Sequence, residues 1–131
     1  MATAKYKHAT SVVADLTDQA IADGNSAALE KNIEDAIGIV VSIKCVYGAS
    51  SNSGLTVRVA DALGDGEQYA SDLAALIEFE MPYAAGETRY VTVPVLLPGA
   101  GPQIKLVLEN ETNDDVTVSV RSRLIDGVEV D

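Results

Sequence analysis

The chain contains no tryptophan, one phenylalanine, one histidine and one cysteine, and each shortage removes a class of chemistry. A single cysteine, Cys45, rules out an intramolecular disulfide. With the lone His8 it also falls short of the several Cys and His ligands that a zinc site needs. Hydrolytic triads rest on a base poised near neutrality, usually histidine, held beside Ser or Cys. Here the sole histidine falls in a polar N-terminal arm. Sugar-handling enzymes stack rings on aromatic faces, and this chain offers only the scattered Tyr6, Tyr47, Tyr69, Tyr83 and Tyr90. These tyrosines are expected at sheet edges, with the hydroxyl in water. Paired carboxylates for glycoside chemistry meet in space and leave no trace along a chain. No glycine-rich phosphate loop precedes a helix. The expectation is a protein that is not an enzyme, with no cofactor and no metal.

Basic residues are scarce too. Nine Lys and Arg stand against twenty Asp and Glu, for a net charge of −11. Nucleic-acid affinity comes largely from cations displacing counterions, so this balance argues against a nucleic-acid partner and against an anionic membrane surface. It serves solubility, or an acidic patch that recruits a basic partner. No apolar run approaches the roughly 18–20 residues of a membrane span. The segment Met1–His8 lacks the apolar stretch of a signal peptide, so the product is expected to stay where it is made until something assembles it.

What the chain has in abundance is alternation. Leu55–Val59, Val91–Val95 and Val116–Val120 each place aliphatic residues at every second position, with Thr, Arg, Pro or Ser between them. An extended chain sends successive side chains to opposite faces, so each segment has one oily and one wet face. Antiparallel sheets tolerate one solvated face. The intervals between these strands are unequal, so they are not sequence repeats. With so few aromatics, the core must be built from Val, Leu, Ile and Ala. At 131 residues, one domain is expected, burying roughly 65–70% of its unfolded surface.

Along the chain, residues 1–9 form a short polar arm and 10–131 the domain. Val12, Ala14 and Leu16 alternate in an opening strand. Asp18 to Asn25 has no such rhythm and ends in the turn Asp23-Gly24-Asn25. Residues 26–37 are ambiguous: Leu29, Ile33 and Ile37 fit a helix capped by Ser26, but a strand over 27–32 with a turn at Glu34-Asp35 is favoured. Ile39–Tyr47 is a strand that puts Cys45 in phase with Ile39, Val41 and Ile43, as a buried and inert thiol. A small-residue loop, Gly48–Gly54, precedes the strand at 55–61. The turn Gly64-Asp65-Gly66 and an irregular stretch lead to Ile77–Met81, which stops at Pro82. Ala85-Gly86-Glu87 opens the strand at 88–96, closed by Pro98–Pro102. Ile104–Glu109 and Val116–Leu124, joined by the polar stretch Asn110–Asp115, predict a β-hairpin. The sum is an all-β, two-layer antiparallel sandwich, jelly-roll-like, of about eight strands. Asp61, Asp65, Gly66 and Asp72 stand where an EF-hand loop wants positions 1, 5, 6 and 12, but position 3 is Leu63 and the flanks are strands, so an acidic solvated turn is the better reading.

The order of features resembles the capsid decoration, or cement, class of small β-sandwich virion proteins of tailed bacteriophages. The likeness runs from Ala22-Asp23-Gly24 through Ile37-Gly38-Ile39-Val40-Val41-Ser42-Ile43-Lys44 and the Ser/Gly loop and strand at 48–59. It continues through Ala85-Gly86-Glu87-Thr88-Arg89 to Ile104–Asn110 and the Val-Thr-Val-Ser-Val strand at 116–120. It covers residues 10–124 and consists of strand rhythm and turn residues. The resemblance implies a structural component on the capsid exterior, made in the host cytoplasm. It further implies a homo-oligomer, trimer favoured, that binds the major capsid protein. An N-terminal arm is a frequent anchor in such proteins, and Lys5, Tyr6, Lys7 and His8 suit that docking role. A neck, tail or fibre protein and a glycan-binding β-sandwich module are the alternatives.

Overall fold

Alternation becomes architecture in the computed structural model, which describes residues 4–8, 11–33, 36–62, 77–96 and 103–130. Nine strands run through them: β1 (Ala4–His8), β2 (Val13–Ile21), β3 (Ser26–Asn32), β4 (Gly38–Tyr47), β5 (Thr56–Ala62), β6 (Ile77–Glu80), β7 (Thr88–Leu96), β8 (Gln103–Glu109) and β9 (Val116–Val130). No helix occurs among the described residues. One sheet has the order β2-β9-β4-β7, with β1 joining β9 on the same flank as β2; the other is β3-β8-β5-β6. Every pairing is antiparallel. Leaving β1 aside, eight strands interleave between two four-stranded layers in the winding of a jelly roll. The stretch at 26–32 is a strand and not a helix, because β3 pairs residue for residue with β8.

The core is the set of inward positions of both layers. β4 supplies Ile39, Val41, Ile43 and Cys45, and β9 supplies Val116, Val118 and Val120. Opposite them stand Val57 and Val59 of β5 and Ile104, Leu106 and Leu108 of β8. Each fully buried aliphatic side chain is worth about 1.5–3 kcal/mol, so these rows hold the layers together. One tyrosine departs from expectation. Tyr47 is buried, its hydroxyl donating to the Pro82 carbonyl at 3.0 Å and accepting from the Leu55 N–H at 3.1 Å. It lies in phase with Cys45, so the pleat sends it inward, and those two partners satisfy the hydroxyl there.

Three further expectations are corrected. The predicted hairpin of 104–109 with 116–124 does not form: β8 pairs with β3 and β5, whereas β9 pairs with β1, β2 and β4. Both segments turn their oily rows to the same core, but from opposite layers, and alternation alone cannot tell these arrangements apart. Next, the opening strand extends through Asp18 to Ile21, where no rhythm was visible. Register shifts between Ala14 and Leu16 and between Leu16 and Gln19 reset the period there. Finally, Val12 is 56% exposed and Val13 47%, so the expected inward row of Val12, Ala14 and Leu16 keeps only Leu16 against the core. The residues assigned to an N-terminal arm include β1, which pairs from Ala4↔Val130 to His8↔Ile125. The turns at 34–35, 64–66 and 98–102 and the acidic loop after Asp61 lie outside the described residues.

The crossing from one layer to the other is held by Asn110, fully buried. Its amide nitrogen donates to the carbonyls of Ile21 and Asp114, both at 2.8 Å, and its amide oxygen accepts from the Thr112 N–H and hydroxyl. Its backbone pairs with Gly24 and Asn25, tying the β2–β3 turn to this corner. Gly24 takes a φ of +83°, a conformation that costs a residue with a Cβ. Beside it the Asp114 carboxylate accepts from the N–H groups of Ser50 and Asp115, which hold its pKa below the ordinary 3.8. That anchoring is fully present above the ordinary value and is lost as pH falls through the lower folded one. On the open flank Lys31 of β3 meets Asp15 of β2 at 2.8 Å, joining the two layers. Asn110→Ala would strand the Ile21 carbonyl and the Thr112 N–H, while the Asp114 carbonyl keeps its bond from the Thr112 hydroxyl. It is expected to lower stability by about 3 kcal/mol, read as a shifted midpoint in urea unfolding.

Candidate functional site

The pleat that buries Ile43 and Val120 pushes the residues between them outward. On the exposed face of the five-stranded sheet, Lys44 of β4 stands opposite Tyr90 of β7 on one side and Ser119 of β9 on the other. One step along, Ser42 stands opposite Thr92 and Arg121. Lys44, Tyr90, Ser119, Ser42 and Arg121, with Thr17 and Asp18 of β2, line a groove of about 390 Å³. A shallower depression of about 170 Å³ continues from it over Val12, Val40 and Arg123, sharing Ser42 and Arg121.

The β2 wall of the groove is built by the bulge. Asp18 has a φ of +47°, in the left-handed region that Asp tolerates better than most residues. Its N–H donates to the Ser119 hydroxyl at 3.0 Å, and that hydroxyl donates back to the Asp18 carboxylate at 3.4 Å. The extra residues therefore turn the Asp18 carboxylate into the groove instead of along the strand. Across the floor, Tyr90 is 67% exposed, the most open of the large hydrophobic side chains described. An aromatic face held open beside hydroxyls, two cations and one carboxylate can stack on an apolar surface while donating to and accepting from hydroxyl groups. Lys44, Arg121 and Ser42 donate; Asp18 accepts.

None of the groove residues was singled out as a site in the sequence, although parity carried the signal. Tyr90 is out of phase with Val91, Val93 and Val95, and Lys44 with Ile43 and Cys45, so both had to face out. Strand order was the missing piece. The anchor residues Lys5, Tyr6, Lys7 and His8 sit on β1 and pair with positions 129, 128, 127 and 125 of β9. That is the far end of β9 from Ser119 and Arg121, so the structure does not bring them to the groove. Cys45 points inward, fully buried. Burial pushes its thiol up to about 11, partly opposed by a hydrogen bond with Tyr47. Among the described residues no group of three or more His, Cys, Asp or Glu could hold a metal ion.

No protein-family model matches the chain, and no curated protein matches it. Solved structures do. One holds the CBM22-1 and GH10 modules of the Clostridium thermocellum xylanase Xyn10B with xylohexaose (TM-score 0.56, 13% identity, 78% of this chain and 20% of that one). A second is a family 35 carbohydrate-binding module from an environmental isolate (TM-score 0.50, 18% identity, 82% of this chain and 71% of that one). A third is the VP2 subviral particle of infectious bursal disease virus (TM-score 0.53, 10% identity, 95% of this chain and 33% of that one). The chain thus spans one fifth of the xylanase structure. At these identities the likeness is one of fold, a β-sandwich shared by carbohydrate-binding modules and a viral capsid protein.

At pH 8 a thiol with a pKa near 11 is ionised to about one part in a thousand. Cys45 is therefore expected to stay silent toward Ellman's reagent in native buffer and to react at once in guanidinium chloride, followed by absorbance at 412 nm (about one thiol per chain).

Proposed function

We propose that this chain is a glycan-binding β-sandwich module whose ligand lies in the groove between Tyr90, Lys44, Arg121 and Asp18. The observation that carries this reading is the open Tyr90 ring set among polar side chains on the outer face of a sheet. Sugars present apolar C–H faces and rings of hydroxyls, and this surface has a counterpart for each. The groove of about 390 Å³ is lined by strand residues, so little ordering is needed before binding. The fold it shares with carbohydrate-binding modules supports the reading. In this reading the module binds without turnover.

Screening on a glycan array, followed by calorimetry on the strongest hit, tests it. Tyr90→Ala should weaken binding about tenfold, the worth of one stacked aromatic face. Tyr83→Ala, on another exposed tyrosine, should change little. An array without hits, or full affinity in Tyr90→Ala, would remove the groove from consideration.

A second reading keeps the chain in a virion, at the capsid exterior as a decoration protein or at a neck, tail or fibre station. It draws on the fold shared with VP2 and on Val12 and Val13, exposed beside the β1 edge where apolar contact with a capsid subunit or a second copy could form. Here β1, with Lys5, Tyr6, Lys7 and His8, is the docking strand, and a trimer on the major capsid protein is the assembly. Removing residues 1–9 takes away an edge strand that lies outside the eight-strand jelly roll. The truncated protein should remain folded by circular dichroism but bind purified heads more weakly. Unchanged occupancy would count against this reading.

A further inference from the structure

The groove carries a local excess of positive charge on an acidic molecule. Its lining holds two bases, Lys44 and Arg121, against one acid, Asp18, while the chain as a whole carries −11. Acids outnumber bases so heavily that a base without a carboxylate partner needs explaining. Among the side chains described, other bases are paired: Lys31 with Asp15, Arg58 with Glu78 at 3.3 Å and with Glu109, and Arg89 with Glu87 at 3.0 Å. Lys105 and Arg123 also have partners. Among the described residues, Lys44 and Arg121 have no carboxylate within ion-pair distance.

Their placement is also convergent. Lys44 lies opposite Ser119, and Arg121 is two residues further along the same strand. They are therefore diagonal neighbours on one face, about 7–8 Å apart, close enough for both long side chains to reach one anion. Two unpaired like charges held this near repel each other, and a bound anion relieves that repulsion. The Asp18 carboxylate on the opposite wall excludes a second anion and accepts hydroxyl groups instead. The Ser119 bonds hold it there.

Resting on the glycan-binding reading, we infer that the groove selects a glycan bearing one negative group, carboxylate or sulfate, seated between Lys44 and Arg121 with the adjoining ring stacked on Tyr90. A nucleic acid fits less well: Arg123 in the adjoining depression would meet one more phosphate, but a longer chain would pass Asp18 and lie against a molecule of net charge −11.

The test is calorimetry of the full chain with a xylotriose bearing one glucuronate branch, with a singly sulfated cellotetraose, and with neutral xylotetraose and cellotetraose, at two salt concentrations. The glucuronate-bearing or the sulfated sugar should bind at least tenfold more tightly than either neutral sugar, and the one preferred names the acidic group. That preference should shrink as salt rises. It should collapse in Lys44→Gln/Arg121→Gln, whose side chains lie on the outward face, Lys44 half-buried and Arg121 exposed, and whose folding is checked by thermal melting. Lys105→Gln, on the other sheet, should keep it. Equal or tighter binding of a neutral sugar would overturn the charge selection and leave the glycan reading standing. An acid preference that survives in the double variant would place the anion elsewhere and overturn the assignment to Lys44 and Arg121. Binding of none of the four, with a blank glycan array, would overturn both.

Discussion

One constraint runs through the molecule: β4 is paired on both sides, and its register with β7 and β9 sets every side chain's face at once. The alignment that stacks Val91, Ile43 and Val120 toward the core sets Tyr90, Lys44 and Ser119 in a row toward water. A slip of one residue would bury the lysine and expose the isoleucine, so the core polices the groove. No separate force is needed to place the polar row. It inherits its geometry from aliphatic burial, which is the larger energy by far. This explains how an open polar surface can stay ordered by itself. Its floor is the back of the core.

The edge beside this row is the one place where regular pairing yields. β1 and β2 run along the same side of β9, and β2 carries two register shifts within a few residues. Bulges weaken a ladder locally and are tolerated where the neighbouring strand has other support. β9 has that support from β4, which pairs with it from Val116 to Ile125. The price of holding Asp18 in a left-handed conformation, about 1–3 kcal/mol, is offset in part by its two bonds to Ser119. Strain of this kind, beside a groove and not beneath the core, is where a fold can accept it in exchange for aiming a carboxylate.

How much of this could be read from residues alone follows the same division. The inward rows of β4, β5, β7 and β9 were plain, because Val, Ile and Leu at alternate positions have only one way to be buried. The partner of each strand was not plain. Ile104–Glu109 and Val116–Leu124 looked like a hairpin because they are neighbours in sequence with matching rhythm. The feature that sends them to opposite layers is a single buried asparagine whose four hydrogen bonds reach back to Ile21 and forward to Asp114. An Asn in a polar turn reads as solvated, and nothing local marks it as a core residue. The bulge at Asp18 hid the second half of β2 for a related reason, since a shifted register erases the alternation by which strands are found. The close approach at Gly54, where a methyl group would run into the Met81 carbonyl, reads in sequence only as one more small residue in a loop.

Charge is the property that composition represented least well. A total of −11 describes the protein seen from afar, and at that range it opposes attraction to polyanions. Within a Debye length of about 10 Å the local balance decides instead, and in the groove lining two bases stand against one acid. Lys44 and Arg121 lie 77 residues apart in the chain, so no window of sequence brings them together. Only the pairing of β4 with β9 does so. Overall charge and groove charge are therefore set by different features of the chain, the first by composition and the second by the register of two strands.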